Sequence, residues 1–343
     1  MKIYVGLSGG VDSAVSAALL KEAGHEVVGA FIKIWSPEFI ACTWKEDRAD
    51  ALRVCAALGI PFREIDLSST YRREVVEDMV HTYQAGMTPN PDVVCNRQIK
   101  FGSFASWAFA EGAEMIATGH YARIEKRNGT YSLLRAVDEA KDQSYFLYRL
   151  TQDDLVRTLF PIGGMHKAMV RAKARAWNLP VSHKPDSQGL CFAGDVSIPE
   201  FLSRYLNLKK GIVFDEEGNK IGEHDGAALY TAGQRHGLRT QGGPHYVVRT
   251  DIATNTVIAS REKTHAYASS ALLRDISWIG MPPKDGEMLT AQARYHAAPA
   301  FAQLDGTRIR FSSPELLSPG QSVVLYREAE CLGGGVVEKV VRE

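Results

Sequence analysis

A short glycine-rich loop between a strand and a helix is the feature that most constrains the fold of this chain. An apolar run at residues 3–7 predicts a strand, and Ser-Gly-Gly-Val-Asp-Ser follows at residues 8–13. Apolar side chains then recur every four positions over residues 11–19, which is the spacing of a buried helix face. A second apolar run at residues 27–35 predicts another strand. This order is a βαβ unit, whose two strands are parallel and joined by a right-handed crossover.

The chemistry of residues 8–13, the glycine loop, points to phosphate binding. Glycines at this place let the backbone approach an anion, and the N-terminus of the following helix favours negative charge. The loop has no lysine, which a Walker A loop requires, and no G-x-G-x-x-G pattern of a dinucleotide site. It resembles the PP-loop of ATP pyrophosphatases, which cleave ATP between the α- and β-phosphates. The structural alternative is a tight turn capped by Ser8 or Ser13.

The next hundred residues continue the alternation of strands and helices. Helices are predicted at residues 45–58 and 98–111, and strands at 62–67 and 114–118. Alternating runs at 122–126 and 130–134 flank Asn128-Gly129, which predicts a β-hairpin. Such a chain forms an α/β fold with an open, doubly wound parallel sheet, and ligands bind at the carboxyl ends of its strands. The glycine loop and the turn at Gly119 both follow such ends.

Length and charge limit the other possibilities. A chain of 343 residues suggests two or three domains, and equal totals of 40 basic and 40 acidic residues exclude a uniformly basic nucleic-acid coat. Residues 141–184 carry eight Lys or Arg against three Asp, a local charge of +5 that allows a basic track for phosphates. No apolar run approaches the ~20 residues of a membrane span. We therefore expect a soluble, cytoplasmic protein with no membrane partner.

Five widely spaced cysteines, with no C-x-x-C, argue against a disulfide framework or a zinc finger. Two of them, Cys95 and Cys191, each follow a Pro-Asp pair, and nearby prolines and glycines place both thiols on loops. From spacing alone they are either an incidental pair or reactive thiols, and two cysteines make a poor zinc site, so no metal site is predicted. Cys55 is predicted to be a core residue, whereas Cys42 and Cys331 have no evident chemistry.

The chain resembles the bacterial tRNA-specific 2-thiouridylases, a family of PP-loop ATP pyrophosphatases. The matching segments run in the family's order: Gly-Leu-Ser-Gly-Gly-Val-Asp-Ser at 6–13, Asn-Pro-Asp-Val-Val-Cys-Asn at 90–96, Ile-Lys-Phe-Gly at 99–102, Ala-Thr-Gly-His-Tyr-Ala at 117–122, Lys-Asp-Gln-Ser-Tyr-Phe-Leu at 141–147, Asp-Ser-Gln-Gly-Leu-Cys-Phe at 186–192, Gly-Gln-Arg-His-Gly-Leu at 233–238 and Arg-Tyr at 294–295. The one departure noted, Arg97-Gln98 where Lys-Glu is commoner, leaves the site intact.

The resemblance implies three parts: a PP-loop catalytic domain at residues 1–200, a small central domain at 205–265, and a C-terminal β-barrel at 270–343. Short alternating runs after about residue 207 agree with a β-rich second half.

The resemblance also implies the activity, which is ATP-dependent 2-thiolation of the wobble uridine in tRNA for Lys, Glu and Gln. The C2 oxygen is adenylated and then replaced by sulfur, with ATP and Mg²⁺ as cofactors. The residues that would bind ATP are Gly6, Leu7, Ser8, Gly9, Gly10, Val11, Asp12, Ser13, Ile32 and Gly119. The target base would contact Asn90, Pro91 and Asp92, and the tRNA would contact Lys141, Asp142, Gln143, Arg294 and Tyr295.

Three residues would be catalytic by the same resemblance. Cys191 would carry a persulfide delivered by a cysteine desulfurase or a sulfur-relay protein, and Cys95 would be the partner thiol, leaving a Cys95–Cys191 disulfide. Asp92 would move protons; a role as a turn-making residue is its alternative.

Three rival interpretations remain open from the sequence. The chain could be a PP-loop ligase or amidotransferase for a small molecule, which would not need the two cysteines. It could be a tRNA-binding protein without activity. Alternatively, Cys95, Cys191 and a carboxylate such as Asp92 could hold an iron–sulfur cluster that supplies sulfide.

Overall fold

Three β-sheets organise the chain in the computed structural model, which describes residues 1–39, 44–127, 129–186 and 196–342. The strands in chain order are β1 (Lys2–Gly6), β2 (Glu26–Lys33), β3 (Phe62–Asp66), β4 (Met115–Ala117), β5 (Ala122–Arg127), β6 (Thr130–Arg135), β7 (Thr158–Leu159), β8 (Gly211–Phe214), β9 (Lys220–His224), β10 (Arg239–Thr240), β11 (Tyr246–Asp251), β12 (Thr256–Ser260), β13 (Ala268–Trp278), β14 (Met288–Gln292), β15 (Ala300–Asp305), β16 (Arg308–Glu315), β17 (Ser322–Arg327) and β18 (Glu330–Val341).

Most helices of the described residues lie in the first 202 positions. The α-helices are α1 (Val11–Glu22), α2 (Trp44–Leu58), α3 (Ser68–Tyr71), α4 (Glu77–Gln84), α5 (Pro91–Val94), α6 (Ala105–Ala110), α7 (Gln152–Val156), α8 (Lys167–Ala176) and α9 (Ile198–Leu202). Two π-helices, Arg72–Val76 and Cys95–Phe104, join neighbouring α-helices, and short 3-10 helices occupy Ser144–Leu147, Ala227–Leu229 and Lys263–Ala266. None of these helices reaches the length and apolar character that a bilayer crossing requires.

The first sheet is parallel, with the strand order β3–β2–β1–β4–β7. Helices cover both of its faces, as the side chains of β1 show. Ile3 and Val5 pack in one apolar cluster with α1 and α8, and Tyr4 packs in another with α4 and α6. The predicted doubly wound α/β sheet is confirmed. Because the strand order reverses at β1, the loops after β1 and β4 flank the crevice where such folds bind ligands.

The second half of the chain is β-rich, as predicted. A five-stranded sheet, in the order β10–β9–β8–β12–β11, forms the central part. In the C-terminal part, β13 pairs with both β16 and β18, so that the six strands β13–β16–β15–β14–β17–β18 close into a barrel. The predicted succession of a small central domain and a C-terminal barrel is thus confirmed.

The hairpin β5–β6 connects the first and last parts of the molecule. It is predicted by its sequence, but its position is not: β6 pairs with β18, where Cys331 lies opposite Leu133. The hairpin therefore extends the barrel sheet, although it immediately follows the turn that ends β4. As a result, the turn beside the crevice is connected to the barrel by the backbone hydrogen bonds between β6 and β18.

Candidate active site

The glycine loop has the backbone of an anion site. Gly9 has φ +75°, a conformation that side chains other than glycine rarely adopt. Ser13 Oγ accepts a hydrogen bond from Ser8 N–H at 3.2 Å and donates to Gly10 O at 3.2 Å. Gly10 is the N-cap of α1 and gives it no side-chain cap. The serines thus brace the loop rather than cap the helix, and the positive end of α1 stays available for an anion.

Asp12, in the first turn of α1, is held by two groups from distant parts of the chain. Lys167 Nζ lies 2.7 and 2.8 Å from its two carboxylate oxygens, and the Tyr121 hydroxyl donates to Oδ1 at 3.0 Å. Burial, together with the Asp12 charge, raises the pKa of Tyr121, so that its hydroxyl stays protonated and remains a donor. The resemblance gave no role to either partner of Asp12.

A second carboxylate, Asp186, joins the same network. Lys167 Nζ lies 2.7 Å from Asp186, and Lys141 Nζ lies 3.0 Å from it, while Arg171 forms a third ion pair. Burial alone would raise the pKa of Asp186, but the hydrogen bonds from Lys167 and Lys141 hold it well below its usual range. Asp186 is the last described residue before the segment that contains Cys191.

These contacts change how the basic block of residues 141–184 must be interpreted. Four of its eight cations pair with carboxylates: Lys141 and Arg171 with Asp186, Lys167 with Asp12 and Asp186, and Lys184 with Asp47 and Asp50. At least half of the block therefore surrounds the glycine loop. A tRNA track along the remaining cations stays a prediction.

The turn at residues 118–121, which follows β4, packs directly against the start of α1. A Cβ atom placed on Gly119 would lie 2.6 Å from Ser13 N and 2.8 Å from Asp12 C, so only glycine fits there. Tyr121 N–H donates to Gln143 Oε1 at 2.9 Å, and Gln143 N–H donates to Tyr121 O at 2.8 Å. The side chain of Ile32 borders the end of β1, where a Cβ on Gly6 would meet its Cδ1 at 3.9 Å. Gly6, Ile32 and Gly119 thus line the same crevice.

Cys95 lies in a helix and not on a loop, so that prediction was wrong. Asn90 is the N-cap and Pro91 the first residue of α5, which runs straight into the π-helix that begins at Cys95. Proline is favoured at the first position of a helix, where its missing N–H has no partner to lose. The Cys95 side chain is 5% exposed and packs in the apolar cluster below the sheet. The predicted helix at 98–111 accordingly starts earlier and begins in the π form.

Lys100 lies five positions after Cys95 in that π-helix, and its ammonium links the helix to the 118–121 turn. Lys100 Nζ donates to His120 Nε2 at 3.4 Å, and His120 Nδ1 lies 2.7 Å from Thr118 Oγ1. Burial and the Lys100 charge lower the pKa of His120 well below its usual range, so the ring is neutral. Burial raises the pKa of Asp92, and Lys100 partly offsets this rise.

The barrel holds the segment that contains Asp92. Asn90 Oδ1 accepts a hydrogen bond from Ser322 N–H at 2.6 Å, and Asn90 Nδ2 donates to Gln321 Oε1 at 3.2 Å. Gln321 Nε2 in turn donates to the carbonyl oxygens of Thr88 and Pro89, each at 3.0 Å. The side chain of Asn90 therefore anchors the segment, which sequence reasoning did not predict.

The residues predicted to contact tRNA have different environments. Asp142 is 7% exposed and accepts hydrogen bonds from Ser144 and from the Arg135 guanidinium. Arg294 donates to Ala232 O at 2.8 Å and to Ser318 Oγ at 2.6 Å, while its buried Nε has no hydrogen-bond partner among the residues that the structure describes. Tyr295 is half-buried against Phe146, with ring centroids 4.3 Å apart.

Two cysteines of the sequence analysis, Cys42 and Cys191, lie outside the described residues. Within the described ranges, no group of three or more His, Cys, Asp or Glu side chains could hold a metal ion. Cys55 packs in the core between α2 and the sheet, where burial raises its pKa to about 11. Its prediction as a core residue agrees with this environment.

Family models match three consecutive parts of the chain. They are described as a tRNA methyl transferase HUP domain over residues 1–195, a tRNA methyl transferase PRC-barrel domain over 199–261, and an aminomethyltransferase beta-barrel domain over 269–337.

Curated relatives are similar over nearly the whole length. The tRNA-specific 2-thiouridylase MnmA of Janthinobacterium sp. (strain Marseille) is 42% identical, with 98% of this chain and 97% of the relative covered. MnmA of Francisella tularensis subsp. novicida is 42% identical, with 98% and 99% covered, and MnmA 2 of Geobacillus kaustophilus is 41% identical, with 99% and 95% covered.

Solved structures are more distant. The U34-tRNA thiolase NcsA from Methanococcus maripaludis, solved with its 4Fe-4S cluster, is 19% identical with a TM-score of 0.37, covering 56% of this chain and 61% of that chain. A 4-thiouridine synthetase in complex with RNA and ATP is 18% identical with a TM-score of 0.36, covering 59% and 50%. Likenesses at this level carry no argument about chemistry.

Proposed function

The chain belongs to the tRNA-specific 2-thiouridylase family, and on that premise we propose that it is an ATP-dependent tRNA-uridine 2-sulfurtransferase. One observation supports this most: the 118–121 turn contacts both the glycine loop and the helix that begins at Cys95. Gly119 packs on the glycine loop, and His120 contacts Lys100 in the helix that begins at Cys95. The proposed ATP site and the helix that carries Cys95 therefore both contact the same four-residue turn.

The first step is activation of the uridine by ATP. The C2 oxygen of a uracil is a very poor leaving group, so O2 attacks the α-phosphorus of ATP and pyrophosphate leaves. Backbone N–H groups of residues 9–13 and the N-terminus of α1 stabilise the phosphate charge. Ile32 and Gly119 border the adenosine. Mg²⁺ fits this donor set, because it prefers one or two carboxylates together with phosphate oxygens; Asp12 would hold it, and its charge would offset that of the departing pyrophosphate.

The second step replaces the adenylated oxygen by sulfur. A persulfide on Cys191 either attacks C2 through its terminal sulfur or is released as hydrosulfide that attacks C2; in both cases AMP leaves with the former C2 oxygen. Cys95 thiolate attacks Sγ of Cys191 and breaks the persulfide S–S bond, which leaves a Cys95–Cys191 disulfide for an external thiol to reduce. The sulfur arrives from a cysteine desulfurase or a relay protein.

Asp92 is suited to move a proton in this reaction. Burial raises the pKa of its carboxyl towards neutral pH, where a general acid–base works best. It lies one helical turn before Cys95, and the barrel fixes its segment through Asn90. The contacts of Asn90 favour an anchoring role over direct base contact, while Pro91 and Asp92 would face the base.

The substrate is the wobble uridine of tRNA for Lys, Glu and Gln. A base in a single-stranded loop is extruded into a pocket at a lower cost than a base in a duplex. Tyr295 would offer a ring for stacking and Arg294 a positive charge beside it, while Lys141 and Gln143 would contact the tRNA beside the glycine loop. The buried Asp142 would act indirectly, by fixing Ser144 and Arg135.

Nucleoside mass spectrometry tests the proposal. Unmodified tRNA is incubated with the protein, ATP, Mg²⁺ and a sulfur source, and we expect 2-thiouridine. Cys95→Ser and Cys191→Ser should abolish the product from a persulfide donor, and Asp92→Ala should reduce it about 100-fold or more. The matched control is Cys55→Ala, which removes a core thiol on the opposite face of the sheet and should retain activity.

The results for these variants also distinguish the proposal from the rival interpretations. Full activity of both cysteine variants on another adenylated substrate would favour a small-molecule ligase or amidotransferase, and tRNA binding without pyrophosphate release would favour a non-catalytic protein. The iron–sulfur alternative, with Cys95, Cys191 and a carboxylate such as Asp92 as ligands, predicts stoichiometric iron in protein prepared without oxygen. Iron-free protein that still thiolates tRNA would exclude it.

A further inference from the structure

We propose that Lys167 is a phosphate ligand for ATP, held ready by Asp12 and Asp186 until the nucleotide binds. The inference rests on the proposed use of ATP but assigns a new residue to that site. Lys167 is 155 positions from Asp12 and lies outside the glycine loop, and it was not among the residues predicted from the sequence to bind ATP.

The position of Lys167 is defined by its backbone. It is the first residue of α8, and its N–H donates to Asp138 Oδ2 at 2.8 Å. Its side chain is 14% exposed and reaches across to Asp12 at the start of α1. A cation in the first turn of a helix is opposed by the helix dipole, so this placement is unfavourable unless anions surround it. Two carboxylates now supply that charge, and ATP phosphates would supply more.

The network allows Lys167 to leave its carboxylates. Asp186 keeps Lys141 and Arg171 as partners when Lys167 moves, so it is not left as an unpaired anion. Asp12 keeps the Tyr121 hydroxyl and gains oxygen sites that Mg²⁺ can occupy. Because Asp186 contacts all three of these cations, the departure of the Lys167 ammonium towards an incoming anion still leaves Asp186 two ion pairs.

Phosphates at the glycine loop need a positive charge from another part of the chain. Residues 8–13 contain no lysine, whereas Walker A loops carry their own lysine to the β- and γ-phosphates. A lysine ammonium is a compact charge with three donors and can exchange carboxylate for phosphate oxygens by rotating its side chain. Lys167, already within hydrogen-bond distance of the first turn of α1, is placed to supply this charge from α8.

Calorimetric binding tests the proposal without turnover. ATP, inorganic pyrophosphate and adenosine are titrated into the full-length protein, with Mg²⁺ and separately with EDTA. Lys167→Gln should weaken ATP and pyrophosphate about 10-fold or more, as expected for loss of a charged hydrogen bond, and should leave adenosine unchanged. Lys167→Arg should retain most of the affinity. Arg175→Gln removes an exposed cation from the same helix and should change nothing.

A variant without the two carboxylates distinguishes direct binding of phosphate by Lys167 from neutralisation of Asp12 and Asp186 by Lys167. In Asp12→Asn/Asp186→Asn protein, Lys167 has no carboxylate left to neutralise, so an effect of Lys167→Gln on ATP affinity must come from the phosphates. Persistence of the loss in that background supports the proposal. Its disappearance, or an equal loss of adenosine affinity, overturns it. Wild-type protein that binds no ATP would instead contradict the proposed function itself.

Discussion

Gly119→Ala tests whether the close packing of the 118–121 turn on the glycine loop is required for the ATP site. A methyl group on Gly119 would lie 2.6 Å from Ser13 N and 2.8 Å from the carbonyl carbon of Asp12. Ordinary contacts of a Cβ atom start at 3.4 Å, and the obstructing atoms belong to the backbone of α1, which cannot rotate away. The turn and the helix must therefore separate.

This separation should affect both the stability of the protein and its catalytic rate. Overpacking at a tight site costs about 1–3 kcal/mol, so we expect the free energy of unfolding to fall by that amount. The separation also moves Asp12 relative to Tyr121 and shifts the glycine loop, which is proposed to hold the phosphates. A displacement approaching 1 Å reduces catalytic rates about 100-fold, and we expect kcat/KM for thiolation to fall by roughly this factor.

Urea unfolding, ATP titration and thiolation of tRNA measure the three effects on one protein sample. Gly164→Ala is the matched control, because a methyl group there meets no atom within 4 Å, and its stability should change by less than about 0.5 kcal/mol. The reasoning would be refuted by Gly119→Ala protein that unfolds and binds ATP like the wild type. Loss of stability with unchanged ATP affinity would show that the turn supports the fold but not the nucleotide.

Three further predictions concern the other parts of the site. Asn90→Ala leaves the N–H of Ser322 without its acceptor and should lower the unfolding free energy by about 1–3 kcal/mol in urea titrations. The matched control is Asn207→Ala, at an exposed position outside the left-handed backbone region, which should change it by less than about 0.5 kcal/mol. Burial raises the pKa of Asp92 above 3.8, so its carboxyl contributes stability below that pH and loses this contribution as the pH rises through the raised pKa. The difference in unfolding free energy between Asp92→Asn and the wild type should therefore favour the variant more at pH 7 than at pH 4. A difference that does not change with pH would contradict this. Burial raises the pKa of Cys55 to about 11 and that of Cys331 further, so both thiols should resist iodoacetamide at pH 8 until urea is added, as peptide mass spectrometry would show.

Local patterns predicted the catalytic core of the fold to within a few residues. The glycine loop, α1 and the adjoining strands follow from side-chain periodicity and glycine chemistry, which act over short distances in the sequence. The hairpin β5–β6 was also found, from Asn128-Gly129 between alternating runs. Its pairing with β18 was not, because strands about 200 positions apart share no local signal.

The candidate site was predicted less completely, for the same reason. The loop and the helix N-terminus are local, but Asp12 and Lys167 are 155 positions apart, and Asn90 and Ser322 are 232 apart. The prolines before Cys95 predict a loop when they are interpreted as breakers of regular structure. Asn90 followed by Pro91 is equally the signature of an N-cap and first helical residue, and that interpretation would have placed Cys95 in a helix.

The contacts of the barrel connect it to the residues of the proposed catalytic site. Ser322 and Gln321 at the start of β17 hold Asn90, and the hydroxyl of Tyr145 donates to Ser322 O at 2.8 Å. The same strand thus fixes the segment before Cys95 and the segment that follows Gln143, whose backbone and side chain bind Tyr121. Both segments end beside the proposed ATP site or beside Cys95. A PP-loop domain without the barrel would keep its glycine loop but lose the contacts that hold the segments of Asp92 and Tyr121, so we expect removal of the barrel to impair both the proposed nucleotide site and the proposed sulfur site.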